Sequence, residues 1–440
     1  MRNIFLILMI GNILVGDLFA QSPNLNKSTI INKYVQSDKE LKEKVSKELI
    51  KQNIDFDSLF HYLKQGKLFS SDVQKGFLER NFKNKFGVEH PNLVFIPYKY
   101  DPKKKYQVHL FLHGAVSSFD MYQVSRSINR ADTSWRSVNK ICMFPASWVF
   151  SKWWNYSQYE NISKLIGYIK EYYNVNENDI YINGISDGAT GLFYLSNFYQ
   201  TPFSCYLPFI GSMHMLHKVP DKQFYMKNYQ GLSFFVVNGR EDEIFDIQSV
   251  IPYVNELKTV TKDVKFIVVD SSKHNTNWYP VLRDSIKGFI SAHKRNPFPD
   301  YIYYATEKPD TFGRKFWVVI DKIGRMKNEY ASDSTRMIYY NQSDSTLNHT
   351  RLFGQIEVVK TGNIVNVRTQ NVKKYTLLIS PDFFDLSKPI TVFTNNYLSF
   401  DGMLTKDIRT LIKYNIMDND RTMLYSSELK ITVGKIIKKE

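Results

Sequence analysis

From Ser37 onward the apolar positions fall four residues apart. Leu41, Val45 and Leu49 share one helical face, and Ser37-Asp-Lys-Glu40 forms a capping box ahead of them. The spacing predicts a helix here and further short helices over residues 55–86, a small prefix whose charged face is solvated. The period then changes. Residues 93–97 (Leu-Val-Phe-Ile-Pro) and 107–112 (Gln-Val-His-Leu-Phe-Leu) read as strands. Beyond them, short apolar runs at 140–145, 179–185, 205–210, 232–238 and 264–269 alternate with helical stretches at 158–173, 188–199, 245–258 and 278–294. Buried strands alternating with helices predict a largely parallel sheet covered on both faces, the α/β class.

After Pro297 the helical period disappears. Runs at 315–320, 336–340, 352–359, 363–368, 374–379 and 389–395 are short, β-prone and separated by Gly, Asn, Asp and Pro turns. They predict a compact, all-β, sandwich-like module, with only a weak helical stretch at 405–415. The expected organisation is a helical prefix over 21–90, an α/β domain over 91–296 and a β-rich domain over 297–440.

Residues 1–20 read as a secretory signal peptide. Arg2 supplies the positive start, Ile4 to Val15 the apolar stretch, and Phe19-Ala20 before Gln21 a cleavage point, although Leu18 stands where a small residue is preferred. Asn12 and Asp17 interrupt the run well short of the roughly 20 residues a membrane span needs. No later segment is long and apolar enough to cross a bilayer, and no cysteine follows the leader to carry a lipid. The expected location is outside the cytoplasm, secreted or periplasmic.

Composition narrows the partners. The 440 residues carry 58 Lys+Arg against 43 Asp+Glu, a formal net charge of +15, yet the lysines are dispersed. Only short clusters such as Lys103-Lys104-Lys105 and Lys438-Lys439 occur, which is not the basic stripe of a nucleic-acid binder. With 2 cysteines and no CxxC or HExxH spacing, neither a disulfide framework nor a structural metal is expected.

The sharpest chemical signal is Gly184-Ile185-Ser186-Asp187-Gly188, set between the strand-like Asp179–Asn183 and the helix-like Ala189–Phe198. Strand, tight turn, helix is the setting in which G-x-S-x-G holds a nucleophilic serine. An acid and then a histidine should follow, each just after a strand. Run 232–238 leads into Asn238-Gly239-Arg240-Glu241-Asp242, and run 264–269 into Asp270-Ser-Ser-Lys-His274. Ser186, Asp242 and His274 are therefore the candidate triad, with Glu241, Glu243 and Asp246 competing for the place of the acid. Asp187 sits too close to the nucleophile to be that acid.

Upstream, the strand at 107–112 runs into His113-Gly114-Ala115. Together with the Tyr-Asp-Pro-Lys-Lys-Lys-Tyr run before it and the Gly-x-Ser-Asp-Gly turn, this resembles the α/β-hydrolase superfamily, in its secreted esterase and polyhydroxyalkanoate-depolymerase-like branch. The resemblance covers roughly residues 90–295. It implies an oxyanion hole built from backbone N–H groups of Ala115 (or Gly114) and Asp187, with His113 orienting the turn. It also implies that two strands separate those of Cys142 and Cys205, leaving two buried free thiols. The chain departs from the family in offering one convincing strand before His-Gly, and in a stretch between 210 and 232 too short for a large lid.

Trp153 and Trp154 are candidates for walling an acyl or aromatic pocket, with loop packing as the alternative. Trp278 would line the leaving-group side, and Trp148 is a fourth tryptophan nearby. The expected activity is hydrolysis of small-molecule or polymeric carboxylic esters without metal or organic cofactor. Two alternatives stand beside it: a serine peptidase resembling the prolyl-oligopeptidase group, and a non-catalytic protein that contacts polysaccharide or a cell surface through the β-rich domain.

Overall fold

The computed structural model describes residues 23–217, 224–325 and 352–434. The expected leader and the strand expected at 336–340 lie outside the described residues.

Three helices open the chain: α1 (Pro23–Gln36), α2 (Lys39–Lys51) and α3 (Phe56–Gln65). The cap of α2 falls one residue later than the capping-box reading. Asp38 accepts from the Leu41 N–H at 2.8 Å, whereas Ser37 donates its hydroxyl to the Lys33 carbonyl. The inward face of α2 is Lys42, Val45 and Leu49, with Leu41 turned toward solvent. The charged face is thus not wholly solvated. Nor do helices continue to residue 86: α3 stops at Gly66, and residues 76–79, 82–83 and 89–90 are short strands, with a turn at 84–88.

The central sheet has eight strands: β1 (Gly76–Glu79), β2 (Asn92–Ile96), β3 (Tyr106–Leu112), β4 (Ile141–Pro145), β5 (Val175–Ile185), β6 (Tyr206–Phe209), β7 (Phe234–Gly239) and β8 (Val264–Val269). Their spatial order is β1-β2-β4-β3-β5-β6-β7-β8. β2 runs antiparallel to both its neighbours, and every other pairing is parallel. β1 is a second strand ahead of His113-Gly114, where sequence offered only one. Its Phe77 ring packs 5.0 Å from both Phe95 and Trp135.

Alternation along the strands builds two core layers. Ile180 and Ile182 face α4 (Tyr156–Tyr172), α5 (Asp187–Phe198) and α6 (Ile247–Val260), while Tyr181 faces the layer containing α7 (Tyr279–Ala292). Cys142 and Cys205 are buried free thiols, on β4 and just before β6, with β3 and β5 between them.

The C-terminal region holds two further sheets. β9 (Tyr301–Thr306), β12 (Gly354–Thr361), β13 (Ile364–Gln370), β15 (Ile390–Thr394) and β16 (Tyr397–Gly402) form one; β10 (Arg314–Lys315), β11 (Val318–Ile323), β14 (Val372–Ile379) and β17 (Ser427–Thr432) form the other. Pairing is antiparallel except between β13 and β15. Ile356, Val358, Val365, Ile320 and Leu377 from both sheets share one core, as in a sandwich. The weak helical stretch becomes α8 (Ile408–Asp418), which packs its Leu411 and Ile412 against α1–α3 rather than against the β layers alone.

Buried charges join the β-rich region to the α/β unit. Asp420 receives Lys170 at 2.8 Å and the Arg295 guanidinium at 3.0 and 3.1 Å. Burial alone would raise the Asp420 carboxyl; Arg295 and Lys170 outweigh it and hold the group well below the usual carboxylate range. Lys315 is different, because its ammonium meets, among the described residues, only the carbonyls of Asn228, Tyr303 and Gln230, at 2.8, 3.1 and 3.3 Å. Burial pushes its pKa down to about 7.

An amine whose pKa falls on folding leaves the unfolded chain binding more protons between the two values. Its contribution to stability therefore rises with pH, from about 7 toward the ordinary lysine value. Lys315→Met removes the donor from three buried carbonyls and is expected to destabilise by about 1–3 kcal/mol at pH 9. The gap to wild type in urea unfolding should narrow as the pH falls to 7. A gap that stays constant or widens on acidification contradicts the assignment.

Candidate active site

The ends of three adjacent strands carry unusual backbone. Ala115 after β3, Ser186 after β5 and Ile210 after β6 have φ of +57°, +55° and +46° without being glycine. Each such position costs on the order of 1–3 kcal/mol, and strain of this kind collects where side chains must be presented. Ser186 (φ +55°, ψ −121°) immediately precedes α5, so its side chain stands above the sheet at the helix N-terminus.

The flanking glycines are there for clearance. A Cβ on Gly184 would lie 2.3 Å from the Gly188 carbonyl oxygen, and one on Gly188 would lie 2.1 Å from that of Leu112. Any side chain at either position would drive strand and helix apart.

His274 lies in the loop after β8 and bridges the other two candidates. Its Nε2 is 2.8 Å from Ser186 Oγ and its Nδ1 2.8 Å from Asp242 Oδ2. The second carboxylate oxygen of Asp242 accepts from the Ile244 and Phe245 N–H groups, both at 2.9 Å, which leaves Oδ2 aimed at the imidazole. The Phe245 ring stands edge-on to His274 at 5.3 Å. Asp242 is buried while His274 is 16% exposed. Gly239 makes the two loops meet, since a Cβ there would come within 2.2 Å of the Ser272 carbonyl oxygen.

The competing acids are engaged elsewhere. Glu243 pairs with Lys273 at the surface, Asp246 caps α6, and Glu241 is exposed.

The His113-Gly114-Ala115 turn faces this group. A Cβ on Gly114 would sit 3.0 Å from Ser186 Cβ, so the turn's backbone passes directly beside the serine. His113 is partly buried, and desolvation lowers its pKa. Its Nδ1 donates to the Gly114 carbonyl at 2.6 Å and its Nε2 accepts from the Ser147 N–H at 3.0 Å. Asp187 is the first residue of α5, where a backbone N–H has no intrahelical acceptor.

Its carboxylate has a use that sequence did not suggest: Oδ2 accepts from the Val116 N–H at 3.1 Å, tying the turn to the helix. Asp187→Ala is expected to lower kcat about 10-fold with KM little changed, since the turn loses its tether. Asp187→Asn, which keeps an oxygen acceptor, should recover most of the rate. Equal losses in the two variants would rule the tether out.

The tryptophans mostly support these elements from below. Trp153 is enclosed, donates its indole N–H to the His113 carbonyl at 2.9 Å, and lies so close to α5 that a Cβ on Gly191 would meet it at 2.1 Å. Trp278 is buried edge-on to Phe209 at 5.1 Å, and its indole donates to the Asn275 carbonyl, bracing the His274 loop. Trp148 is also buried, beside the His90 ring at 5.1 Å. Trp154 is half-buried, with the Lys152 ammonium 5.9 Å above its ring. The rings of Trp153 and Trp278 are therefore committed to packing rather than to walling a pocket.

The fold and these loops define a class. Residues 156–294 match a family model described as phospholipase/carboxylesterase. Over that segment the chain is similar to this family of α/β-hydrolase fold. Among solved structures it is similar to a thermostable esterase (20% identity, TM-score 0.41), spanning 50% of this chain and 63% of that one. It is also similar to a CE1 ferulic acid esterase of the anaerobic fungus Anaeromyces mucronatus (18%, 0.39; 51% and 92% covered). A fluorophosphonate-binding serine hydrolase of Staphylococcus aureus gives 15% and 0.37, with 50% and 99% covered. No curated protein sequence matches the chain.

Proposed function

We propose that the protein is a secreted serine hydrolase that cleaves carboxylic esters through Ser186, His274 and Asp242. The observation that carries this reading is the unbroken chain of 2.8 Å contacts, Ser186 Oγ to His274 Nε2 and His274 Nδ1 to Asp242 Oδ2, at the head of a helix. In this reaction His274 takes the hydroxyl proton as Ser186 attacks the ester carbonyl. The tetrahedral oxyanion is received by the N–H groups of Ala115, or Gly114, and Asp187, assisted by the positive end of α5. The protonated His274 then gives its proton to the departing alkoxide, leaving an acyl-Ser186. Water activated by the same imidazole releases the acid and restores the serine. Asp242 keeps the His274 proton on Nδ1 and faces the imidazolium as it forms.

Esters are preferred over amides because the family model matched over 156–294 describes carboxylesterases. Secretion rests on the leader-like pattern of residues 1–20. The test is labelling of the purified protein with a fluorophosphonate probe, followed by turnover of short acyl esters and of peptide anilides. Labelling with ester turnover is the expected result. Labelling with anilide turnover alone would make it a peptidase, and a folded protein that resists the probe would end the catalytic reading.

A further inference from the structure

Far from Ser186, a cavity of about 820 Å³ runs between the helical prefix, α4 and α8. It reaches Phe198 and Tyr199 at the far end of α5, and 12 helical residues place that end about 18 Å from the serine. At one end of this cavity are two lysines, Lys42 on α2 and Lys67 in the segment after α3, beside Glu171 and Tyr172 at the end of α4.

Lys42 is 8% exposed, which is rare for lysine unless it is paired. It has no carboxylate partner among the described residues. Its ammonium makes one hydrogen bond, 3.2 Å to Asn415 Oδ1, and lies 5.5 Å from the Tyr34 ring. Asn415 Oδ1 already accepts from the Tyr34 hydroxyl at 3.1 Å, so that acceptor is shared. An ammonium carries three donors. Two of those on Lys42 have no protein acceptor among the described residues.

Lys67 makes no hydrogen bond among the described residues. Its ammonium lies over the rings of Phe69 and Tyr172, at 5.6 and 5.9 Å. Glu171 is the carboxylate felt by both lysines, and its Oε1 also accepts from the Lys39 N–H at 3.1 Å. Burial and then the charge of Lys67 push the pKa of Lys42 down to about 8. Two neighbouring ammonium groups, one nearly buried with unused donors, face an open cavity.

We infer that Lys42 and Lys67 form an oxyanion-binding site that takes a phosphate or carboxylate group of a ligand lying in this cavity, separate from the hydrolytic centre. An anion there would accept the two spare protons of Lys42 and relieve the repulsion between the lysines. The ring face of Tyr172 would flank the body of the ligand.

The full-length mature protein can be titrated calorimetrically with inorganic phosphate and, separately, with citrate, each at fixed ionic strength in chloride. Saturable binding of one anion at millimolar concentration or below is expected, and which of the two binds tells phosphate from carboxylate. Lys67→Gln should weaken binding at least 5-fold and leave ester turnover unchanged. Lys42→Gln should abolish binding; if that variant does not fold, Lys67→Gln still decides. No saturable heat with either anion, or affinity unaltered in Lys67→Gln, overturns the site whether or not the ester chemistry holds.

Discussion

Ser186→Ala is expected to lower ester turnover by about 10^4- to 10^6-fold and to remove fluorophosphonate labelling, with the fold unchanged. The size follows from what the side chain is placed to do. Oγ is the atom of the trio placed to bond to carbon, and the imidazole that would take its proton lies 2.8 Å away. Alanine at φ +55° keeps the same backbone strain, so stability should move by less than about 1 kcal/mol. His274→Ala should cost nearly as much, and the double variant little more than either alone, because the residues act as one unit. Additive losses would show that serine and histidine serve separate steps. A Ser186→Ala protein that keeps a tenth of its activity would place the nucleophile elsewhere.

The second large effect is expected from Asp242→Asn. The asparagine oxygen can still accept from the Ile244 and Phe245 N–H groups, so the loop should keep its shape. Its NH2 would then face His274 Nδ1 and donate to it. That moves the imidazole proton to Nε2, which faces Ser186 as a donor and cannot accept the hydroxyl proton. A drop in kcat of about 10^4 with an unchanged melting temperature is the expected outcome. A loss below about 10-fold would mean that Glu241, Glu243 or Asp246 can orient the histidine after a small loop shift.

These sites were legible in sequence because backbone clearance dictates their residue types. Gly184 and Gly188 stand where any Cβ would strike a carbonyl, and Gly239 where the acid loop touches the His274 loop. The spacing of Ser186, Asp242 and His274 followed from apolar strands that read clearly, of which β5 and β7 are largely buried and β8, at the sheet edge, only partly so. Short edge strands such as β1 and β16 did not read, since their pairing depends on partners rather than on their own pattern.

Helix α2 misled at one position: its inward face runs through Lys42, Val45 and Leu49, spaced i, i+3, i+7, where a hydropathy pattern would choose Leu41. The tether from Asp187 to Val116 could not be found by spacing, because it joins residues 71 apart through a turn. The roles of Trp153 and Trp278 were equally hidden. Both are large, apolar and near the site, and only the indole hydrogen bonds separate support from pocket.

The packing of α8 onto α1–α3 bears on how the chain is made. Ile30, Val45, Leu49 and Leu59 share their core with Leu411, Ile412 and Leu424, 352 to 394 residues later. As the polypeptide emerges, the prefix lacks the α8 side of its core until residues 411–424 have been made. Contacts of such long range form slowly and leave apolar surface open meanwhile. The prefix, made well before α8, thus has its core completed late. A chain cut before α8 would present three amphipathic helices with nothing to bury them, so loss of the C-terminal segment should register first as aggregation through the prefix.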